Sequence, residues 1–173
     1  MRKVIFIDIE KCMGCKSCEF ACAVEHSKTK DMYAIIRAGE KPGSRITVES
    51  YGRKAIPVNC NHCEEAACLL ACPTGAIYRK EEGGPVLVDH TRCIGCHMCV
   101  QACPFGVITV RADGKGVLKC DLCIERLAEG REPACIAACP THALVFLEEE
   151  EANRKKRRKT ARQMAKALVQ PED

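Results

Sequence analysis

The chain has 173 residues, enough for one domain or two small ones fused, with 47% hydrophobic residues but only 4% aromatic and no tryptophan. Lys and Arg number 27 against 23 Asp and Glu, a formal charge of +4, and no aromatic residues interleave the basic runs, which argues against nucleic-acid binding. No apolar stretch approaches the roughly 20 residues of a membrane span, and so few aromatics leave the 16 cysteines to explain how the interior is filled.

Met1-Arg2-Lys3 leads into residues 4–7, a short apolar run that reads as a strand. The run is too short for a secretory leader, so a cytoplasmic location is expected, with any membrane association made through a partner. Next comes a first cysteine group, Cys12, Cys15, Cys18 and Cys22, with Gly14 inside its loop. Residues 23–59 form an insertion. Within it 45–50 and 54–58 predict a hairpin about Tyr51-Gly52, with Ile46 and Val48 alternating as in a half-buried strand and Pro57 marking an edge.

The second group is Cys60, Cys63, Cys68 and Cys72. After it, strands are expected at 76–79 and 86–89, joined through the Gly-rich turn 80–85. The third group, Cys93, Cys96, Cys99 and Cys103, precedes strands at 107–111 and 116–119 around Asp113-Gly114. The fourth, Cys120, Cys123, Cys135 and Cys139, contains a second insertion at 124–134. Beyond it, acidic 148–151, basic 154–159 and helix-compatible 164–169 read as a solvated terminal helix, with a partner-docking segment as the alternative.

Three groups end Cys-Pro: Cys72-Pro73-Thr74-Gly75, Cys103-Pro104-Phe105-Gly106 and Cys139-Pro140-Thr141-His142. Each unit therefore reads as a cysteine loop, a helical turn stopped by proline, and a short strand, so the chain holds an internal repeat. Groups one and three have the C-x2-C-x2-C-x3-C spacing at which three thiolates hold a [4Fe–4S] cube and the fourth reaches another. Zinc has no use for the middle cysteine at that spacing, although the fourth group alone would pass for a zinc site. Disulfides do not suit a cytoplasmic chain. Four groups imply four [4Fe–4S] clusters and an electron carrier, whose folding should be coupled to metal binding. Four cubes at about −2 each would turn the formal charge to about −4.

The spacings C-x2-C-x4-C-x3-C-P in the second group and C-x2-C-x11-C-x3-C-P in the fourth resemble the four-cluster iron–sulfur subunits of dimethyl sulfoxide reductases, formate dehydrogenases and hydrogenases. Cys60-Asn61-His62-Cys63 and Lys119-Cys120-Asp121-Leu122-Cys123 are similar to that family too. Within it, 15–27 most resembles the ferredoxin-like electron-transfer subunit of carbon monoxide dehydrogenase. The family's proline is absent after Cys22, where Ala23 follows.

The resemblance implies four ligand sets: Cys12, Cys15, Cys18 with Cys139; Cys120, Cys123, Cys135 with Cys22; Cys60, Cys63, Cys68 with Cys103; and Cys93, Cys96, Cys99 with Cys72. The fold expected is α+β, tandem bacterial-ferredoxin-like βαβ repeats around the clusters. Residues 1–22 plus 112–147 form one repeat pair, 60–111 the other, 23–59 an insertion and 148–173 a charged helix or tail. The chain is expected to be a non-catalytic subunit relaying low-potential electrons from a catalytic oxidoreductase to a downstream redox acceptor. That partner is carbon monoxide dehydrogenase in the first reading. A molybdenum or tungsten enzyme for aldehyde or formate, or a hydrogenase, stands in the second, and a free polyferredoxin in the third.

Overall fold

A computed structural model describes residues 2–168 of the chain; the end of the expected 164–169 segment, Val169, lies outside them. In chain order the elements are β1 (Lys3–Ile7), a 3-10 turn (Ile9–Lys11), α1 (Ser17–Glu25), α2 (Met32–Ala38), β2 (Thr47–Tyr51), β3 (Lys54–Val58), α3 (Ala67–Leu70) and β4 (Ile77–Arg79). They continue with β5 (Val86–Val88), α4 (Met98–Ala102), β6 (Thr109–Val110), β7 (Val117–Leu118), α5 (Ile124–Ala128), α6 (Ala134–Ala137), β8 (Leu144–Glu148) and α7 (Glu149–Leu168). The class is mixed α+β, with short helices and four antiparallel two-stranded sheets: β1 with β8, β2 with β3, β4 with β5 and β6 with β7.

Proline decides the helix lengths. Cys72, Cys103 and Cys139 are each followed by proline, and α3, α4 and α6 have 4, 5 and 4 residues. Ala23 follows Cys22, and α1 runs on to 9 residues. After each proline the chain turns in the same way. Gly75 N–H donates to Cys72 O at 3.2 Å, Gly106 N–H to Cys103 O at 3.3 Å and His142 N–H to Cys139 O at 3.2 Å. Gly75, Gly106 and His142 are all left-handed, with φ of 61°, 62° and 50°. Glycine suits that conformation, and His142 takes it at some steric cost.

The hairpins stand close to their expected places, within two residues at each end. Two helices do not follow from the sequence reading. In α2 the Asp31 carboxylate caps Ala34 N–H at 2.7 Å, and Gly39 at φ 61° ends the helix. In α5 the left-handed Cys123 redirects the chain from the fourth cysteine loop into the helix. The charged segment is one helix, α7, beginning at Glu149 and held by Lys159 to Asp8 at 3.4 Å and to Glu10 at 3.2 Å. Among the described residues, no helix is long and apolar enough to cross a membrane.

Two apolar cores form, and cysteines belong to both. Cys18, Cys22 and Cys135 are buried with Ile46, Val48, Ile136 and Leu144 in one, against which Ile5, Ile7, Phe146 and Cys139 pack. Cys99 is buried with Ala66, Ile77, Val86, Ile108 and Val117 in the other, flanked by Cys68, Cys72 and Cys103. Helix α1 packs on α6 in the first and α3 on α4 in the second. Ile46 and Val48 point inward as their alternation suggests, so the hairpin of the insertion completes the first core. Arg2 joins β1 to the second cysteine group, donating from Nη2 to Asn61 O at 2.8 Å and His62 O at 2.7 Å.

Candidate metal centres

All sixteen cysteines are free, and each group places them on a loop that enters a short helix. The loops are wound tightly. Gly14 and Lys16 in the first, and Gly95 and His97 in the third, have φ of 73°, 60°, 68° and 61°. His62 in the second group and Leu122 with Cys123 in the fourth are left-handed as well. Alternation of right- and left-handed residues turns successive N–H groups toward one side, which makes a concavity for anions. At Gly14 only glycine fits: a Cβ there would lie 2.9 Å from that of Ala55.

Several donors already point at sulfur. His62 N–H approaches Cys60 Sγ at 3.3 Å, Arg45 N–H approaches Cys22 Sγ at 3.3 Å and Leu122 N–H approaches Cys120 Sγ at 3.5 Å. The hydroxyls of Thr74 and Thr141, each two residues after a Cys-Pro cysteine, lie 3.7 and 3.8 Å from Cys72 and Cys139 Sγ. Carbonyl oxygens of the loops are meanwhile covered by arginine. Arg79 donates to Cys63 O and Glu64 O, and Arg92 to Thr74 O at 2.8 Å.

The four groups share an electrostatic pattern that reports the repeat. The third cysteine of every group, Cys18, Cys68, Cys99 and Cys135, has its pKa raised, in each case first by burial. For Cys18 the value is about 11. The fourth cysteines of three groups behave oppositely. Burial pushes Cys22, Cys72 and Cys139 upward, but donors to the sulfur outweigh it and bring the pKa down. Those donors are His26 and Arg45 N–H at Cys22, Ile77 N–H and Thr74 at Cys72, and Leu144 N–H and Thr141 at Cys139. A thiol must lose its proton to bind metal. Cys22, Cys72 and Cys139 thus give up their protons more readily than an ordinary thiol.

Neighbouring charges show which groups meet. Cys139 bears on Cys15 and Cys18, and Cys22 on Cys135. Cys103 bears on Cys68, and Cys72 on Cys99. The fourth cysteine of each group therefore stands beside members of another group, groups one and four together and groups two and three together. Charges also couple Cys18 with Cys135, Cys60 with Cys120, and Cys68 with Cys99, the last ahead of the Cys72 charge on Cys99.

Two polar clusters were not legible locally. Asp121 accepts from His26 Nε2 at 3.1 Å, from Arg45 Nη1 at 2.5 Å and from Cys123 N–H at 2.9 Å. Burial would lower the His26 pKa and raise that of Asp121; their hydrogen bond reverses both, so imidazolium and carboxylate coexist. His26, Asp121 and Cys123 place three ligand-type atoms within 4.8 Å of one another, but the Asp121 oxygens are occupied by cations, so this is an ion-pair cluster and not a further metal site. The second cluster is Lys119 with His62. The sequence suggests for Lys119, as for Lys11, Lys16 and Arg92 beside the loops, a cation able to raise a local potential but more often an ordinary surface charge, whereas Lys119 is 3% exposed.

An iron–sulfur cube suits these surroundings. The buried Nε2 atoms of His62 and His97 have no partner among the described residues, on loops that bear cysteines of groups two and three. A cube's sulfides accept such donors, and its negative charge answers the inward-facing N–H groups.

Residues 53–149 match the family described as 4Fe-4S dicluster domain, and residues 9–25 match a 4Fe-4S binding domain. The chain belongs to the 4Fe-4S dicluster family. It therefore binds multiple [4Fe–4S] clusters. A Rhodospirillum rubrum protein named iron-sulfur protein is 40% identical over 95% of this chain and 92% of its own length. The thiosulfate reductase electron transfer subunit PhsB of Salmonella typhi is 42% identical over 87% of this chain and 79% of its own. The electron transport protein HydN of Escherichia coli is 40% identical over 93% and 98%. These relatives are named for electron transfer or for their iron–sulfur content.

Proposed function

We propose that the chain is a non-catalytic electron-transfer subunit holding four [4Fe–4S] clusters in line, with ligands crossed between groups. The observation that carries this is the packing of Cys18, Cys22, Cys135 and Cys139 about one core and of Cys68, Cys72, Cys99 and Cys103 about the other, with α1 on α6 and α3 on α4. The sets are Cys12, Cys15, Cys18, Cys139; Cys120, Cys123, Cys135, Cys22; Cys60, Cys63, Cys68, Cys103; and Cys93, Cys96, Cys99, Cys72. Each cube, when bound, exchanges one electron at a potential within about −700 to +450 mV.

The protein part of the work is insulation and spacing. Residues 1–22 with 112–147 form one tandem ferredoxin-like repeat pair about the first core. Residues 60–111 form the other, with Val117 reaching across into the second core. Cys15 and Cys96 are the exposed cysteines, one on the group-one loop and one on the group-three loop. Beside them Met13 and Ile94 are each 67% exposed, and Phe20 and Phe105 also face solvent. These two ends of the line are where a partner would meet the chain, one as donor and the other as acceptor.

The partner is a catalytic oxidoreductase. Carbon monoxide dehydrogenase is the first reading, on the resemblance of 15–27. A molybdenum or tungsten reductase is the second, favoured by the likeness to PhsB and to the probable anaerobic dimethyl sulfoxide reductase chain YnfG of Escherichia coli, 36% identical over 87% of this chain. Iron and acid-labile sulfide analysis of the anaerobically prepared chain should give about sixteen of each; about eight would reduce the line to two cubes and sink this reading. Anaerobic affinity capture then separates the partners. A nickel-containing enzyme supports the first and a pterin enzyme the second, while a solitary monomer would make the chain a diffusible carrier.

A further inference from the structure

Lys119 is the buried cation that the cysteine pattern leaves unexplained. Its ammonium donates to Val86 O at 2.5 Å and Cys120 O at 3.2 Å, and faces His62 Nδ1 at 3.5 Å. Val86 N–H donates to the same Nδ1 at 3.1 Å, so that nitrogen is an acceptor and the ring proton lies on Nε2. His62 is accordingly neutral; burial first and the Lys119 charge second hold its pKa down, at about 3. It offers Lys119 no negative charge. Among the described residues Lys119 forms no ion pair, and Asp121 is taken up by His26, Arg45 and Cys123 N–H.

An ammonium buried without a counter-charge is strongly unfavourable. The residues around Lys119 show where the missing charge belongs. Cys120, of the fourth group, is its covalent neighbour. His62 lies between Cys60 and Cys63 of the second group. The Lys119 charge also bears on Cys68, and the charges of Cys60 and Cys120 bear on each other across this point. Lys119 thus stands between the second and fourth groups.

We propose that the Lys119 ammonium is a fixed positive charge shared by the two middle cubes, raising their reduction potentials and so setting the electron step between the halves of the line. The proposal rests on the four-cube reading. Reduction of a cube there adds one electron and no proton. It is a positioning residue for charge, and it touches no substrate. A cation beside a site that gains negative charge favours the reduced form.

The test uses the full chain, prepared anaerobically as wild type, K119R, K119M and K119Q. Iron is counted first, and the cluster midpoints are then measured by potentiometric titration with EPR detection. K119M should lower at least one midpoint by a tenfold or greater change in the reduction equilibrium, about 59 mV per tenfold for one electron, and K119R should lower none. Four unchanged midpoints in K119M, a rise in any, or an equal fall in K119R would overturn the proposal. If K119M and K119Q both lose iron while K119R keeps it, the charge itself is required and the proposal stands. Loss in K119R as well would assign Lys119 a purely steric role and overturn it. A wild-type chain with fewer than four clusters refutes the four-cube reading instead, and the iron count reveals that before any variant is compared.

Discussion

Serine at Cys139 should abolish the same cluster signal as serine at Cys12, although the two residues stand in different groups near opposite ends of the chain. The reason is the placement of Cys139 beside Cys15 and Cys18. If each group served its own cube, C12S and C139S would damage two different clusters, and their double variant would lose both. Crossed ligation requires the opposite. C12S, C139S and C12S/C139S should each remove one cube, leaving about twelve irons of sixteen, while C135S/C139S should leave about eight. This non-additivity is the signature of two residues acting as one unit. The effect on the fold should be large too. Cys139 packs against the first core just before β8, so its cube would clamp β8 and α1 together. A structural metal site of four ligands carries of the order of 10 kcal/mol of folding free energy. Anaerobic EPR with iron analysis reads the first effect and guanidinium unfolding the second.

Asn in place of Asp121 should destabilise the chain by about 2–4 kcal/mol, below the full cost of breaking a buried pair because all three partners keep some exposure. The Asp121 carboxylate faces two cations, Arg45 at 2.5 Å and His26 at 3.1 Å, from the insertion that closes over the fourth group. An amide leaves both without an anion and accepts with one oxygen where the carboxylate used two. The dependence on pH follows from the pair. His26 has its pKa raised above the ordinary 6.5, and Asp121 has its pKa lowered below 3.8. The His26 contribution is therefore complete below about pH 6.5 and declines as pH rises toward its folded value of about 12, while the Asp121 contribution is complete above about pH 4. The gap in stability between wild type and D121N should be widest between those limits and narrow steadily from about pH 6.5 to pH 9. Unfolding midpoints at four pH values in that range check it; a gap that widens with pH would show that the pair is not ionised as described.

The parts of the fold that were legible from sequence are those encoded over short distances. The Gly-rich turn 80–85 and the alternation of Ile46 and Val48 each specify a hairpin within a dozen residues, and both hairpins form. Pairing of β1 with β8 joins the two ends of the chain and is specified only by the core on which both strands lie. Helix α2 had its signals in place, Asp31 at the start and Gly39 at the end, but its seven residues are too few to show a clear apolar face.

The cysteine groups were legible because metal coordination fixes residue type and spacing together. Their surroundings were not. Lys119 looks like Lys11 or Lys16, a cation next to a loop, and only the strand carrying Val86 and the His62 ring convert it into a buried charge. Asp121, His26 and Arg45 come from three separated segments, and no local pattern marks them as partners. In both cases a loop of the fourth group is covered by residues from distant segments, an interleaving of the chain that no local pattern encodes.

Whether that interleaving extends to the metal is a question for the iron anomalous map of the anaerobically crystallised chain. Four separate four-iron centres should appear, with Cys139 Sγ bonded to the centre of Cys12, Cys15 and Cys18, and Cys22, Cys103 and Cys72 bonded to the centres of groups four, two and three. Four centres each ligated by the cysteines of a single group, or fewer than four centres in fully loaded protein, would refute the crossed line.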